Sequence, residues 1–290
     1  MQKCNANSNI LSVLSLLKDH TPEETEEQTA IPYRWCLVLP LADGGCLKTL
    51  LGDVRSRKLA FPLDFKDLIF KKLVKAVTFL HSHNLVHRDI KPENVLIDGN
   101  GELKLTDFGY ALDLGEGGSV SDLAPAKINL GTVSYKSPEL FNPRYSGAVA
   151  KDSDVFRKFD FRAVDVWALG LSYLVIHFMM KPWDEASAED LYYKAYASLY
   201  KSEEVAKQYK KLVMNNAFEK SAAFKADKRK SFEIFCRIKS MDTKEVVIRM
   251  LDPIPSTRFT IKDVSRSKWL TQCVDDNKGL SDWVKKAARG

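Results

Sequence analysis

The sequence predicts an α+β fold in which a small β-rich part, up to about residue 45, precedes a larger, mainly helical part. Three observations carry this. Two strand-like segments, Ile10–Leu17 and Tyr33–Leu41 (YRWCLVLPL), lie ahead of Gly44-Gly45. Beyond them, apolar residues recur three or four positions apart, the period of an amphipathic helix. One pair of short strands, around Asn94–Ile97 and Leu103–Thr106, interrupts the helical text, joined by the turn Asp98-Gly99-Asn100-Gly101.

Each element has its own warrant. Tyr33–Leu41 is aromatic and β-branched and predicts a buried strand. The stretch His20 to Gln28 is acidic, contains proline, and reads as a solvated connector. Phe65–His83 carries Leu68, Ile69, Leu73, Val77 and Leu80 on one helical face. Ala163–Met180 is the most apolar segment and predicts a buried central helix. Lys225 to Lys230 is a basic run, read as a solvated loop or helix end. There is no internal repeat and no low-complexity tract.

Composition narrows the class. At 290 residues, 45% hydrophobic and 28% charged, the chain suits an ordinary globular protein and excludes disorder throughout. No run of about 18 apolar residues predicts a membrane-spanning helix; Trp167–Met180 is too short and holds His177. Residues 1–20 lack the layout of a secretory signal. The five cysteines are scattered and form no CxxC pair. Neither a disulfide framework nor a zinc site is expected, and a reducing cytoplasmic setting is the default, the nucleus the alternative. The net charge of +6 suits acidic partners or phosphate-bearing ligands. No nucleic-acid partner and a monomeric state are expected.

Three short segments bear chemistry: His87-Arg88-Asp89-Ile90-Lys91-Pro92-Glu93-Asn94, then Asp107-Phe108-Gly109, then Gly131-Thr132-Val133-Ser134-Tyr135-Lys136-Ser137-Pro138-Glu139. Alone, Asp89 reads as a turn or helix-cap residue, Asn94 as a turn residue, and Asp-Phe-Gly as a turn. In this order, with a hairpin-length gap of 18 residues between Asp89 and Asp107, they resemble the catalytic loop, magnesium motif and activation-segment end of eukaryotic-type serine/threonine protein kinases.

The resemblance implies a kinase-like fold with an incomplete small lobe and hinge over residues 1–45, a large lobe over 46–272, and a short basic tail over 273–290. It implies transfer of the γ-phosphoryl group of ATP, with magnesium, to serine or threonine hydroxyls of a protein. Asp89 is then the catalytic base, and Lys91 offsets charge at the γ-phosphate. Asn94 and Asp107 supply hard oxygen ligands for magnesium. Thr132 is a structural hydroxyl of the active site. Leu37–Leu47 resembles the last small-lobe strand and hinge. Leu39 guards the back pocket, Pro40, Leu41 and Ala42 line the adenine, and Leu96 packs beneath it. Cys46 falls near the ribose, with Glu93 also in the nucleotide site.

Further matches follow. Asp165 opens the family's central helix, where its carboxylate holds the catalytic-loop backbone. Leu251-Asp252-Pro253 with Arg258 resembles the segment whose arginine pairs with Glu139. Lys91 and Thr132 point to serine/threonine rather than tyrosine acceptors. Arg88 can meet a phosphate on Ser119, Ser121, Thr132 or Ser134. Arg162 to Ala168 and the Leu251 region resemble the fungal halotolerance and nitrogen-permease-reactivator kinases.

The pattern also breaks. The family's glycine-rich loop, strand lysine and helix glutamate find no match. Gly115 to Gly118 lies after Asp107 and reads as flexible loop. Asn7-Ser8-Asn9-Ile10 resembles the link after the missing helix, which puts the glutamate before Met1 and makes Lys3 and Lys18 poor substitutes. The expectation is a truncated active kinase. The alternative is a non-catalytic pseudokinase or fragment that binds partners.

Overall fold

The computed structural model describes residues 4, 6–19, 34–115, 128–142, 159–200, 202–215 and 230–289. The connector at 20–28, Lys3, residues 116–118, Ser119, Ser121 and most of the basic run at 225–230 lie outside them. The β part comprises β1 (Ser15–Asp19) and β2 (Arg34–Val38), paired antiparallel with Ser15 opposite Val38. Ile10 forms a parallel bridge to Leu105, so the N-terminal segment is tied to the helical part before β1 begins.

The predicted buried strand at Tyr33–Leu41 is corrected by the structure. β2 is shorter, and it is exposed: Trp35 is 64% and Leu37 46% accessible. The cause is the sheet itself. Among the described residues it has two strands, and nothing packs across its faces to shield the side chains. The first strand is also displaced. Ile10 and Leu11 are buried outside it, while β1 starts at Ser15.

The helical part is built on α1 (Leu47–Ser56), α2 (Leu63–Ser82) and α3 (Phe161–Phe178). Leu47, Leu50, Leu51 and Val54 recur at helical spacing and are the buried face of α1. The five apolar positions read from α2 are all buried. Asp160 caps α3 by accepting from the Arg162 N–H at 2.9 Å, and Met179 ends it in a left-handed conformation. Helix α3 is long and apolar enough to cross a membrane by length and composition, yet 83% of it is buried inside the protein. It is the core helix, with Trp167, Leu169, Leu171 and Leu174 fully enclosed.

Between α2 and α3 come β3 (Leu85–Val86), β4 (Val95–Ile97), β5 (Leu103–Leu105) and β6 (Leu112–Asp113). Strands β4 and β5 form the predicted hairpin, with Leu96 opposite Lys104. Strand β3 pairs with β6. The remaining α-helices among the described residues are α4 (Leu191–Ser198), α5 (Glu203–Met214), α6 (Lys230–Cys236), α7 (Met241–Met250), α8 (Ile261–Ser265), α9 (Lys268–Gln272) and α10 (Asn277–Arg289). Thr260 and Asp263 form a capping box on α8.

Helix α10 packs on the large helical part. Leu280, Val284 and Ala287 are buried, and Trp283 stacks on Phe61 at 4.4 Å. Its Ser281 hydroxyl donates to Gly99 O at 2.9 Å. A side chain at Gly101 would lie 2.8 Å from Ser281 N, so the hairpin turn can sit against the helix only as glycine. Glu102 joins this contact, accepting from Lys72 Nζ at 2.8 Å and from Asn277 Nδ2.

Candidate active site

The segment after β3 turns sharply. Arg88 has φ 65°, a left-handed conformation that a non-glycine residue adopts only when surroundings hold it. Asp165, fully buried at the start of α3, does so. Its Oδ2 accepts from the His87 N–H at 2.8 Å, and its Oδ1 from the Arg88 N–H at 2.7 Å. The expected grip of Asp165 on this loop is therefore present. His81, which the sequence reading missed, adds a ring nitrogen 2.9 Å from Asp165 Oδ2. Burial alone would raise the Asp165 carboxyl; its bonds to His81 and His87 outweigh that and hold it below the usual range.

His87 carries the turn onward. Its Nδ1 accepts from the Asp89 N–H at 3.3 Å, so the proton sits on Nε2 and is donated to Thr106 O at 2.9 Å. Its ring meets Phe108 edge-on at 4.9 Å. Burial pushes the imidazole below its ordinary value, against the opposing pull of Asp165 and the Thr106 carbonyl. The unfolded chain takes up this proton near pH ~6.5 and the folded chain resists it. The contribution is complete above that pH and is lost as pH falls through the lower folded value. We expect the urea midpoint to drop between about pH 7 and pH 5, and His87→Gln to flatten that part of the slope. An unaltered slope in the variant contradicts this.

Four of the predicted residues converge. Asp89 is 3% exposed. Its Oδ2 accepts from Lys91 Nζ at 2.7 Å and Asn94 Nδ2 at 3.0 Å. Its Oδ1 accepts from the Thr132 N–H at 2.9 Å and hydroxyl at 2.7 Å. Lys91 also reaches Thr132 Oγ1 at 2.6 Å. Burial would raise the Asp89 carboxyl, but the bonds from Lys91 and Thr132 prevail and keep it below the usual carboxylate range. Thr132 can approach because Gly131 precedes it. Gly131 has φ 101°, and a Cβ there would lie 2.5 Å from Arg88 O, so no other residue fits unstrained.

Asp107 lies at the edge of this cluster. It is exposed, left-handed at φ 60°, and accepts from the Gly109 N–H at 3.3 Å. The Thr106 N–H donates to Asn94 O at 2.9 Å, which links the Asp107 strand to the loop that holds Asn94. Asn94 Nδ2 donates to Asp89, which leaves Oδ1 as its other polar side-chain atom. An amide oxygen and an exposed carboxylate are hard donors that fit magnesium, an ion content with few protein ligands. Among the described residues, no group of three or more histidine, cysteine or acidic side chains could hold a metal.

The remaining predicted residues lie outside this cluster. Cys46 is half-buried, with Sγ 3.5 Å from Pro92 O and 3.4 Å from Glu93 O. It forms an antiparallel bridge with Leu96, the half-exposed residue between buried Val95 and Ile97. Glu93 pairs with Lys48 at 2.8 Å. Leu39 and Leu41 are exposed, Leu41 at 89%. Pro40, Leu41 and Ala42 line a cavity with Ile10, Leu11, Ser12, Asp98 and Lys104, and Asp89, Lys91 and Asn94 are not among its walls. Arg88 donates from Nε to Tyr110 O at 2.5 Å and lies over the Phe161 ring at 5.6 Å.

Farther out, Arg258 holds Glu139 in the expected bidentate pair, at 2.7 and 2.9 Å. The guanidinium also donates to Ala163 O at 2.8 Å and Asp252 O at 2.9 Å, and lies over Trp167 at 5.0 Å.

A carboxylate clamped by a lysine and a threonine, beside an asparagine and an exposed aspartate, on a loop anchored to a buried helix, is the kind of arrangement that phosphoryl transfer calls for. The family model for the protein kinase domain matches residues 1–270, and the chain belongs to that family. Among its relatives, CBL-interacting serine/threonine-protein kinase 16 of Arabidopsis thaliana is 29% identical, over 89% of this chain and 45% of its own length. Serine/threonine-protein kinase HAL4/SAT4 of Saccharomyces cerevisiae is 28% identical over 90% of this chain and 34% of its own. Serine/threonine-protein kinase hal4 of Schizosaccharomyces pombe is 29% identical over 94% and 35%. The chain thus spans less than half the length of these relatives, and the fungal group named by the sequence reading is among them.

Proposed function

We propose that this chain is the catalytic region of a serine/threonine protein kinase, moving the γ-phosphoryl group of ATP to a protein hydroxyl with magnesium bound. The observation that carries the reading is the buried Asp89 carboxylate, held by Lys91, Asn94 and Thr132. Phosphoryl transfer asks for a hydroxyl aligned with phosphorus and for neutralised charge. Asp89, ionised at neutral pH, accepts a hydrogen bond from the incoming hydroxyl and takes up its proton as the bond to phosphorus forms. Lys91 exchanges its bond to Asp89 or Thr132 for the transferring phosphoryl oxygens and offsets their charge. Thr132 fixes the second Asp89 oxygen, so the carboxylate keeps one orientation.

Asn94 and Asp107 would hold magnesium, which supplies neutralisation of the phosphate charge when bound. The adenine is assigned to Leu96 and the Leu39–Ala42 segment, and the ribose to the Cys46 and Glu93 edge. The Cys46–Leu96 bridge supports this, since it sets the linking segment beside the hairpin. Residues 1–45 serve as part of the small lobe with its hinge.

The test is incorporation of radiolabelled phosphate into a serine- or threonine-containing protein by the whole chain and by its Asp89→Asn variant. Loss of the acid–base group is expected to lower the rate by about 10²–10⁴-fold. Equal, background-level signals from both would reject catalysis and leave the binding-module alternative.

A further inference from the structure

Two lysines at the cavity that Asp89 and Tyr135 line, Lys136 in its wall and Lys181 over the Tyr135 ring, form no ion pair among the described residues. Lys136 lines the same small cavity as Asp89 and Thr132. Its Nζ donates to Asn129 O at 3.0 Å and Oδ1 at 2.9 Å, both neutral acceptors. Lys181, just beyond α3, sits over the Tyr135 ring at 5.2 Å from the centroid. Both are half-buried, and burial pushes both ammonium groups below their ordinary value. Neither forms an ion pair among the described residues. The nearby carboxylates act on them only at a distance and more weakly than the loss of hydration: Asp89 on Lys136, and Asp184 and Glu93 on Lys181. Glu93 Oε1 is paired with Lys48.

A partly dehydrated ammonium served only by distant carboxylates recovers less in Coulomb attraction than it has lost in hydration. An anionic group arriving with the substrate would restore the balance, and like-charged segments would be repelled. We propose that the acceptor face of this site selects segments whose serine or threonine is flanked by anionic side chains, with Lys136 and Lys181 as the specificity-determining residues. This rests on the kinase reading and adds its substrate class. Glutamate, aspartate and phosphoserine share the required chemistry.

The experiment uses the whole chain and four matched peptides in which glutamate, phosphoserine, glutamine or arginine flanks one acceptor serine. Initial phosphorylation rates and the fluorescence anisotropy of labelled peptides are both measured. We expect kcat/KM for the glutamate or phosphoserine peptide to exceed that for glutamine by about tenfold, and arginine to be poorest. Whichever of the two anionic peptides is better identifies the source of charge. Lys136→Gln and Lys181→Gln should each reduce the anionic-to-neutral ratio by about three- to fivefold, while Lys136→Arg and Lys181→Arg keep it. Thermal midpoints show that the variants are folded.

Equal use of the glutamate and glutamine peptides overturns the proposal while leaving the kinase reading intact. Should no peptide be phosphorylated above the Asp89→Asn background, the kinase reading fails. Anisotropy then decides the surface. Preferential binding of anionic peptides that Lys136→Gln weakens supports it, and indifference to charge overturns it.

Discussion

Replacing Asp165 with alanine is expected to destabilise the protein by about 3–5 kcal/mol, measured as a fall in the urea midpoint. The carboxylate is fully buried and accepts from two consecutive backbone N–H groups and from His81. Its removal strands these donors where water does not reach. Each costs about 1–3 kcal/mol when left unpaired, and they share one partner, so the costs are not simply additive. The loop should also lose its left-handed turn at Arg88, and proteolysis between α2 and β4 should quicken. A loss below about 1 kcal/mol, the level of an ordinary substitution, would show that the turn does not depend on this carboxylate.

The second large effect concerns Glu139 and Arg258. The Arg258 side chain is inaccessible and that of Glu139 is 8% exposed. Glu139→Ala leaves a buried guanidinium with only carbonyls and the Trp167 face for company. We expect a loss of about 3–5 kcal/mol, because an uncompensated buried charge remains. Removing both charges should cost less than removing one. The Glu139→Leu, Arg258→Met double variant is expected to recover much of the loss, since apolar packing often replaces a buried pair without penalty. A double variant as unstable as the sum of its parts would mean that the two residues act independently.

What could be read in advance follows from distance along the chain. Asp89, Lys91 and Asn94 lie within six residues on one turn, so their convergence was written locally. The α2 and α3 faces followed from periodicity alone, as every apolar position named in α2 is buried. Thr132 and the Arg258–Glu139 pair needed the family resemblance, because the latter spans 119 residues. His81 meets Asp165 across 84 positions with no local signal to announce it. The engagement of Glu93 by Lys48, and the lack of ion pairs at Lys136 and Lys181 among the described residues, are likewise properties of space. For β2, composition indicated a strand correctly. Whether a strand is covered depends on which other elements lie against it, and side-chain preferences do not encode that.

The docking of α10 has a mechanical consequence. The β4–β5 hairpin bears Asn94 at one foot and Asp107 just past the other, while its tip at Gly99–Gly101 is pinned to Ser281 and Asn277 is bound to Glu102. The hairpin is thus a short lever clamped at its far end by the last helix. Cutting the chain before Asn277 takes away no reacting group, yet it frees the lever. The two proposed magnesium ligands would then move relative to each other, so weaker metal affinity, rather than a lost catalytic group, would be the signature of that truncation.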